Sequence, residues 1–166
     1  VTLTNGSRVA HNKALIGGQG ATFRRAYVSF PLCCPSRATL MSGKYMHNHG
    51  VRGNYPPQSS WTKFAPQEGN DLATMMHSAG YYNVQIGKYM NGYGNAQGPF
   101  FVPPGWDQWY GKVSEDALYF NFRMIEKTGP TDTPHLTFYG DAPTDYQTDV
   151  IGQKAAEFID GASSAT

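Results

Sequence analysis

The chain has 166 residues and a mass of 18.3 kDa, enough for one ordinary domain with its own core. Only 15% of residues are charged while 14% are aromatic, so there is ample ring surface to bury and the chain is not a disordered one. A net charge of +1 argues against a field-driven binder of nucleic acid or of an acidic membrane surface, and no apolar run approaches the ~20 residues that span a bilayer.

The chain opens VTLTNGSRVAHNKAL, with no apolar stretch of signal-peptide type, and residues 1–20 read as polar and glycine-rich. Asn5-Gly6-Ser7 fits an N-glycosylation acceptor, a triplet also common by chance. Arg25 to Phe30 (RAYVSF) alternates and is rich in β-formers, which predicts a strand ended by Pro31. Pro35 to Gly43 predicts a helix, with proline in the first turn and glycine as the stop. Residues 46–70 read as turns. Asn70 or Asp71 caps a short helix, DLATMMHSAG, that ends at Gly80.

Tyr81 to Ile86 predicts a second strand, followed by Gly87-Lys88, and 91–113 reads as an irregular but ordered loop. Leu118 to Ile125 and Leu136 to Tyr139, separated by Gly129-Pro130, predict an antiparallel hairpin. Tyr146 to Ile159 has helical apolar spacing, and a small polar tail follows. Strands alternate with helices, so the fold class is α/β. No repeat or linker divides residues 1–166.

The chemistry concentrates between Phe30 and Val51. A strand running into a helix places Cys33 at the helix N-terminus, where free N–H groups and the dipole favour an anion. Arg37, four residues on, shares that face, and Lys44 falls near it if the helix persists. A nucleophile, a dipole and two cations at one spot suit a reaction on a tetrahedral oxyanion ester. The two adjacent cysteines taken alone favour a buried core pair, and a disulfide between neighbours is strained.

Cys33-Cys34-Pro35-Ser36-Arg37, followed by Leu40-Met41-Ser42-Gly43-Lys44, resembles the first signature of the type I, formylglycine-dependent sulfatases. A second signature is matched at Gly80-Tyr81 and Gly87-Lys88. Ser42 stands where the family usually has Thr and Asn83 where it has Ser or Thr. The His that often follows the signature lysine is absent at Met90 and Asn91. KYMHNH at 44–49, GKYMNGYG at 87–94, PPGWDQWYG at 103–111, LYFNF at 118–122 and YQTDV at 146–150 resemble the N-acetylglucosamine-6-sulfatase and heparan-sulfate endosulfatase branch. The resemblance runs from about Gly20 to Asp160.

The resemblance implies an alkaline-phosphatase-like sulfatase fold, here partial: a mostly parallel sheet flanked by helices, plus a β-hairpin. It implies hydrolysis of sulfate monoesters of sulfated sugars such as glucosamine 6-sulfate, as in glycosaminoglycan degradation, or of aryl sulfates. Cys33 is then oxidised to formylglycine by a formylglycine-generating enzyme and is the nucleophile, with Arg37 and Lys88 as its catalytic partners. Lys44, His47, His49 and Asn91 are implied at the substrate, with a direct or a structural role left open for the two histidines. His11, His77 and His135 read as ordinary. Trp106, Trp109 and Tyr110 fit a sugar-stacking wall less well than core packing.

The family also implies one Ca²⁺, whose hard oxygen ligands include an Asp-Asp pair. No such pair occurs in the chain. Asp71, Asp107, Asp116, Asp132, Asp141, Asp145 and Asp149 fall in no matching motif, so Cys33 alone is carried over as a metal ligand. Residues 1–166 are therefore expected to be an N-terminal-central part of a catalytic domain, without its first metal-binding strand and C-terminal half. By itself it is expected to be inactive and marginally folded. The compartment implied is secreted, lysosomal or periplasmic, with the signal peptide outside this chain and a glycoprotein expected. A phosphatase or phosphonate hydrolase of the same superfamily, and a non-catalytic binder of sulfated glycans, are the alternatives.

Overall fold

The computed structural model describes residues 13–56, 60–94, 100–114 and 119–163. Asn5-Gly6-Ser7, His11, Asp116 and Leu118 lie outside the described residues.

Helix α1 (Cys33–Ser42) begins two residues before the proline, directly after an extended Leu32. It ends where Gly43 takes φ 67° and returns its N–H to the Thr39 carbonyl. Two short helices, α2 (Met46–His49) and α3 (Trp61–Phe64), occupy the segment expected to be turns. Helix α4 (Leu72–Ser78) is started by a capping box. The Asp71 carboxylate accepts the Thr74 N–H at 3.0 Å, and the Thr74 hydroxyl accepts the Asp71 N–H. Helix α5 (Gln147–Ser163) follows the expected C-terminal periodicity.

Strands β1 (Val84–Lys88), β2 (Gln108–Lys112), β3 (Phe122–Lys127) and β4 (His135–Tyr139) form one sheet in that order. The α/β class is borne out, and β3 with β4 make the expected hairpin. The sheet is mixed rather than mostly parallel: β1–β2 is parallel, whereas β2–β3 and β3–β4 are antiparallel. The connection 113–121 is too short for the dozen or more residues a parallel crossover needs, so β3 must turn back. β1 starts three residues later than expected and takes in Gly87 and Lys88. β2 lies in the stretch read as a loop.

The expected strand at 25–30 does not form. Tyr27 and Val28 are exposed and pair with no strand among the described residues, so β-propensity there has nothing to act on.

The two faces of the sheet bury different clusters. On one, Trp109 and Ile125 meet Cys34, Ala38, Val51, Trp61, Phe64, Tyr89 and Tyr93. Trp109 is wholly buried, with ring centroids 5.2 Å from both Tyr89 and Tyr93. This tryptophan is core, not a sugar platform. On the other face Phe122 and Met124 meet Val150 of α5, with Tyr110 and Tyr139 packed alongside. There Glu126 accepts from the Tyr139 hydroxyl at 2.6 Å and from the Lys154 ammonium at 3.0 Å, and that ammonium lies 4.5 Å above the Tyr110 ring.

Gly105 joins α4 to the entry of β2. Its φ is +85°, and a Cβ there would stand 2.6 Å from the Thr74 nitrogen and 2.7 Å from the Ala73 carbonyl carbon. Backbone cannot yield as a side chain tip does. Gly105→Ala is expected to destabilise by about 3 kcal/mol, from left-handed strain and overlap together, read as a lower midpoint in thermal unfolding followed by circular dichroism.

Candidate active site

The first turn of α1 is held by two loops remote in sequence. The Cys34 N–H donates to Asn54 Oδ1 at 2.9 Å. The buried Cys34 thiol donates to Asn91 Oδ1 at 3.5 Å and accepts the Asn91 N–H at 3.2 Å. One turn along, Arg37 donates from Nη1 to the Lys88 carbonyl at 2.8 Å. The helix start is thus fastened to the end of β1, and Cys33, Arg37 and Lys88 come together.

Cys33 is exposed and Cys34 buried, so the adjacent thiols part company chemically. Burial pushes the Cys33 thiol up, but the Lys88 ammonium and hydrogen bonds from the Asn54 and Lys88 side chains outweigh it, and the net shift is downward. Burial dominates at Cys34 and raises it. Cys33 opens onto a hollow of about 530 Å³ lined also by Pro31, Leu32, Ser36, Arg37 and Leu40.

The positive character of this site comes from side chains more than from free backbone donors. The Cys34 N–H is taken by Asn54, Pro35 has none, and the Ser36 N–H goes to the Leu32 carbonyl. The sequence suggested unspent N–H groups at the helix start; here most are spent.

The other sequence-derived residues fall elsewhere. Gly43 ends α1, so Lys44 does not continue its face; it is exposed and lines a separate hollow of about 280 Å³ with Thr39 and Tyr45. His47 is exposed and stacks on Tyr45 at 6.0 Å. His49 is buried. Its Nδ1 accepts the Val51 N–H at 3.1 Å, which leaves Nε2 to carry the proton and donate to Thr39 Oγ1 at 3.1 Å. Burial, then the charges of His47 and Lys44, hold its pKa below the usual value, so it is neutral. His49 therefore ties α2 to α1 and is not brought to the Cys33 hollow. Asn91 packs against Cys34.

Asn54 escaped the sequence reading. It sits in a turn without periodicity, and only its being an Asn, a common helix-capping type, hinted at its role.

The family model described as Sulfatase matches residues 4–165. The chain belongs to the sulfatase family. It is 38% identical over 160 residues to an N-acetylglucosamine-6-sulfatase of Capra hircus, covering 92% of this chain and 27% of that protein. The corresponding human protein is 39% identical over 155 residues, with 89% and 27% covered. A putative extracellular sulfatase Sulf-1 homolog of Caenorhabditis elegans is 33% identical over 144 residues, with 86% and 19% covered. The chain thus spans about a quarter or less of the length of these relatives. No solved structure matches it.

In this sulfatase chain no three His, Cys, Asp or Glu side chains converge as metal ligands among the described residues. Asp71 caps α4, Asp107 accepts the Asn83 N–H at 2.7 Å, and Asp145 accepts the Gly140 N–H at 2.9 Å. These carboxylates are committed to the fold, and the described residues alone do not fit a calcium site.

His49→Ala is expected to cost about 2–3 kcal/mol, because it strands the Thr39 hydroxyl and the Val51 N–H, while His47→Ala changes stability by under about 0.5 kcal/mol. The neutral His49 adds a pH dependence. As pH falls through the ordinary histidine value of 6.5, the unfolded chain takes up the proton first and stability drops. Thermal midpoints between pH 7 and 5 are expected to fall more steeply in the parent than in His49→Gln.

Proposed function

We propose that residues 1–166 form the nucleophile-bearing part of the catalytic domain of a sulfuric ester hydrolase that acts on sulfated sugars. In this reading Cys33 is converted to formylglycine by a formylglycine-generating enzyme. The observation that supports it is that Cys33 and Arg37 share one open hollow while the Lys88 ammonium lies beside Cys33, the three residues coming from two separated motifs of the family.

The hydrated aldehyde of formylglycine supplies an oxygen nucleophile that a thiol does not. The chain's own residues answer the other difficulty of the reaction. A sulfate monoester repels a nucleophile because its peripheral oxygens are negatively charged. Lys88 sets an ammonium beside residue 33. Arg37 spends one donor on the Lys88 carbonyl, which fixes the guanidinium and leaves further donors for the anion. Both charges are set before substrate arrives, so little reorganisation is needed. Lys44 and His47 are exposed just past α1, outside the Cys33 hollow, and in this reading they contact the sugar away from its sulfate group. A Ca²⁺, if bound as the family resemblance implies, would supply charge to the sulfate oxygens; of the described residues only residue 33 would contact it, and its other ligands would have to be supplied from elsewhere.

The relatives' names support sulfated glucosamine as the substrate class, and the extracellular relative supports a compartment outside the cytosol, whether secreted, lysosomal or periplasmic. No helix among the described residues is long and apolar enough to cross a membrane.

The full natural chain carrying this sequence is expected to hydrolyse an aryl sulfate and glucosamine 6-sulfate in preference to an aryl phosphate. The tryptic peptide with Cys33 should be lighter by about 18 Da than the thiol form. Arg37→Ala and Lys88→Ala are each expected to lower kcat by about 10²–10³-fold. Preference for the phosphate, or full activity with a peptide at the thiol mass, would overturn the reading.

A further inference from the structure

Besides its interlock with Cys34 through Asn91, the turn Lys88–Asn91 is pinned at three points by residues outside β1. Arg37 holds the Lys88 carbonyl at 2.8 Å. The Tyr89 hydroxyl donates to Glu68 Oε1 at 3.0 Å. The Asn91 carbonyl accepts the Trp61 backbone N–H at 2.7 Å, and the Trp61 indole donates to the same Glu68 oxygen at 2.7 Å. Two of the three pins therefore run through the segment Trp61–Glu68, and both lead to one carboxyl group. Glu68 is 3% exposed. The titratable groups facing it are Asp71 at the start of α4 and Tyr89 and Tyr93 from the turn, none of them cationic.

We propose that Glu68 is a positioning residue for Lys88: its neutral carboxyl braces the Lys88–Asn91 turn through Tyr89 and Trp61, and loss of its proton favours an opened turn in which the carboxylate is hydrated. The role assigned to Lys88 rests on the function proposed above; the brace itself does not.

Burial pushes Glu68 up to about 7, against the two hydrogen bonds from Trp61 and Tyr89, with the Asp71 charge adding to the rise. In an opened, hydrated turn the group returns to an ordinary value near 4.5. The closed form thus holds the extra proton between those limits. Opening becomes more favourable as pH rises from about 4.5 to about 7 and then levels off. Tyr89 is raised as well, by burial and then by Glu68, so its hydroxyl stays a donor throughout.

Amide hydrogen exchange on the full natural chain, corrected for the intrinsic rate at each pH, tests this. Opening of peptides within 88–93 is expected to rise by up to about tenfold per pH unit between pH 5 and 7 and to flatten above, the slope of a single proton. Glu68→Gln keeps the shape and the shared acceptor oxygen but cannot ionise, so its exchange should be flat over the same range. Tyr89→Phe removes the hydroxyl link and leaves the one through Trp61, so it should weaken the pH dependence at 88–93 while leaving it at 61–68. Superimposable pH profiles for the parent and Glu68→Gln, or an unchanged profile at 88–93 in Tyr89→Phe, would overturn the proposal. No substrate enters the measurement. A chain that shows the titrating turn yet hydrolyses no sulfate keeps the brace and loses the functional reading, and the converse result does the reverse.

Discussion

The site depends on one fastening, the docking of the first turn of α1 onto the end of β1. Arg37 grips the Lys88 carbonyl, and Cys34 interlocks with Asn91. These bonds join positions fifty or more residues apart in the sequence. Remove them, and Cys33 and Lys88 belong to unrelated surfaces. With them, a helix and a strand that each have independent reasons to form bring an accessible side chain, an ammonium and a guanidinium together.

The paired cysteines show how adjacency resolves into division of labour. Cys34 turns inward and is consumed by packing and by Asn91; Cys33 turns outward beside Lys88. A helix places successive side chains roughly 100° apart, so neighbours at its start rarely share an environment. Arg37 likewise does double duty, since the donor that anchors it to β1 also removes its freedom to swing away. The same economy extends beneath the turn, where Trp61 meets Asn91 through its backbone and Glu68 through its indole.

Features written in local chemistry were legible in the sequence. Pro35 and Gly43 marked α1, a cap at Asn70 or Asp71 and a stop at Gly80 marked α4, and the alternation around Phe122 and Leu136 marked the hairpin. Features decided by distant partners were not. β2 is a strand because Gln108 to Lys112 lies between β1 and β3, while the glycines, prolines and tryptophans of 91–113 suggested a loop. Arg25 to Phe30 has the right composition and no partner strand among the described residues, so it stays irregular. Cys33, Arg37 and Lys88 could be named from their motifs. His49, drawn into the site by its neighbours in sequence, is claimed instead by Thr39 and Val51. Asn54 carried no more than the hint of its residue type, because its meaning lies in a bond to an amide twenty residues away.

In the proposed site residue 33, Arg37 and Lys88 jointly hold a sulfate-shaped anion. A crystal structure of the full natural chain soaked with inorganic sulfate measures this most directly. The expected result is an anion beside the side chain of residue 33, within hydrogen-bond distance of both the Arg37 guanidinium and the Lys88 ammonium. An empty hollow at Cys33 with sulfate bound elsewhere, or a Lys88 side chain directed away from residue 33, would contradict it.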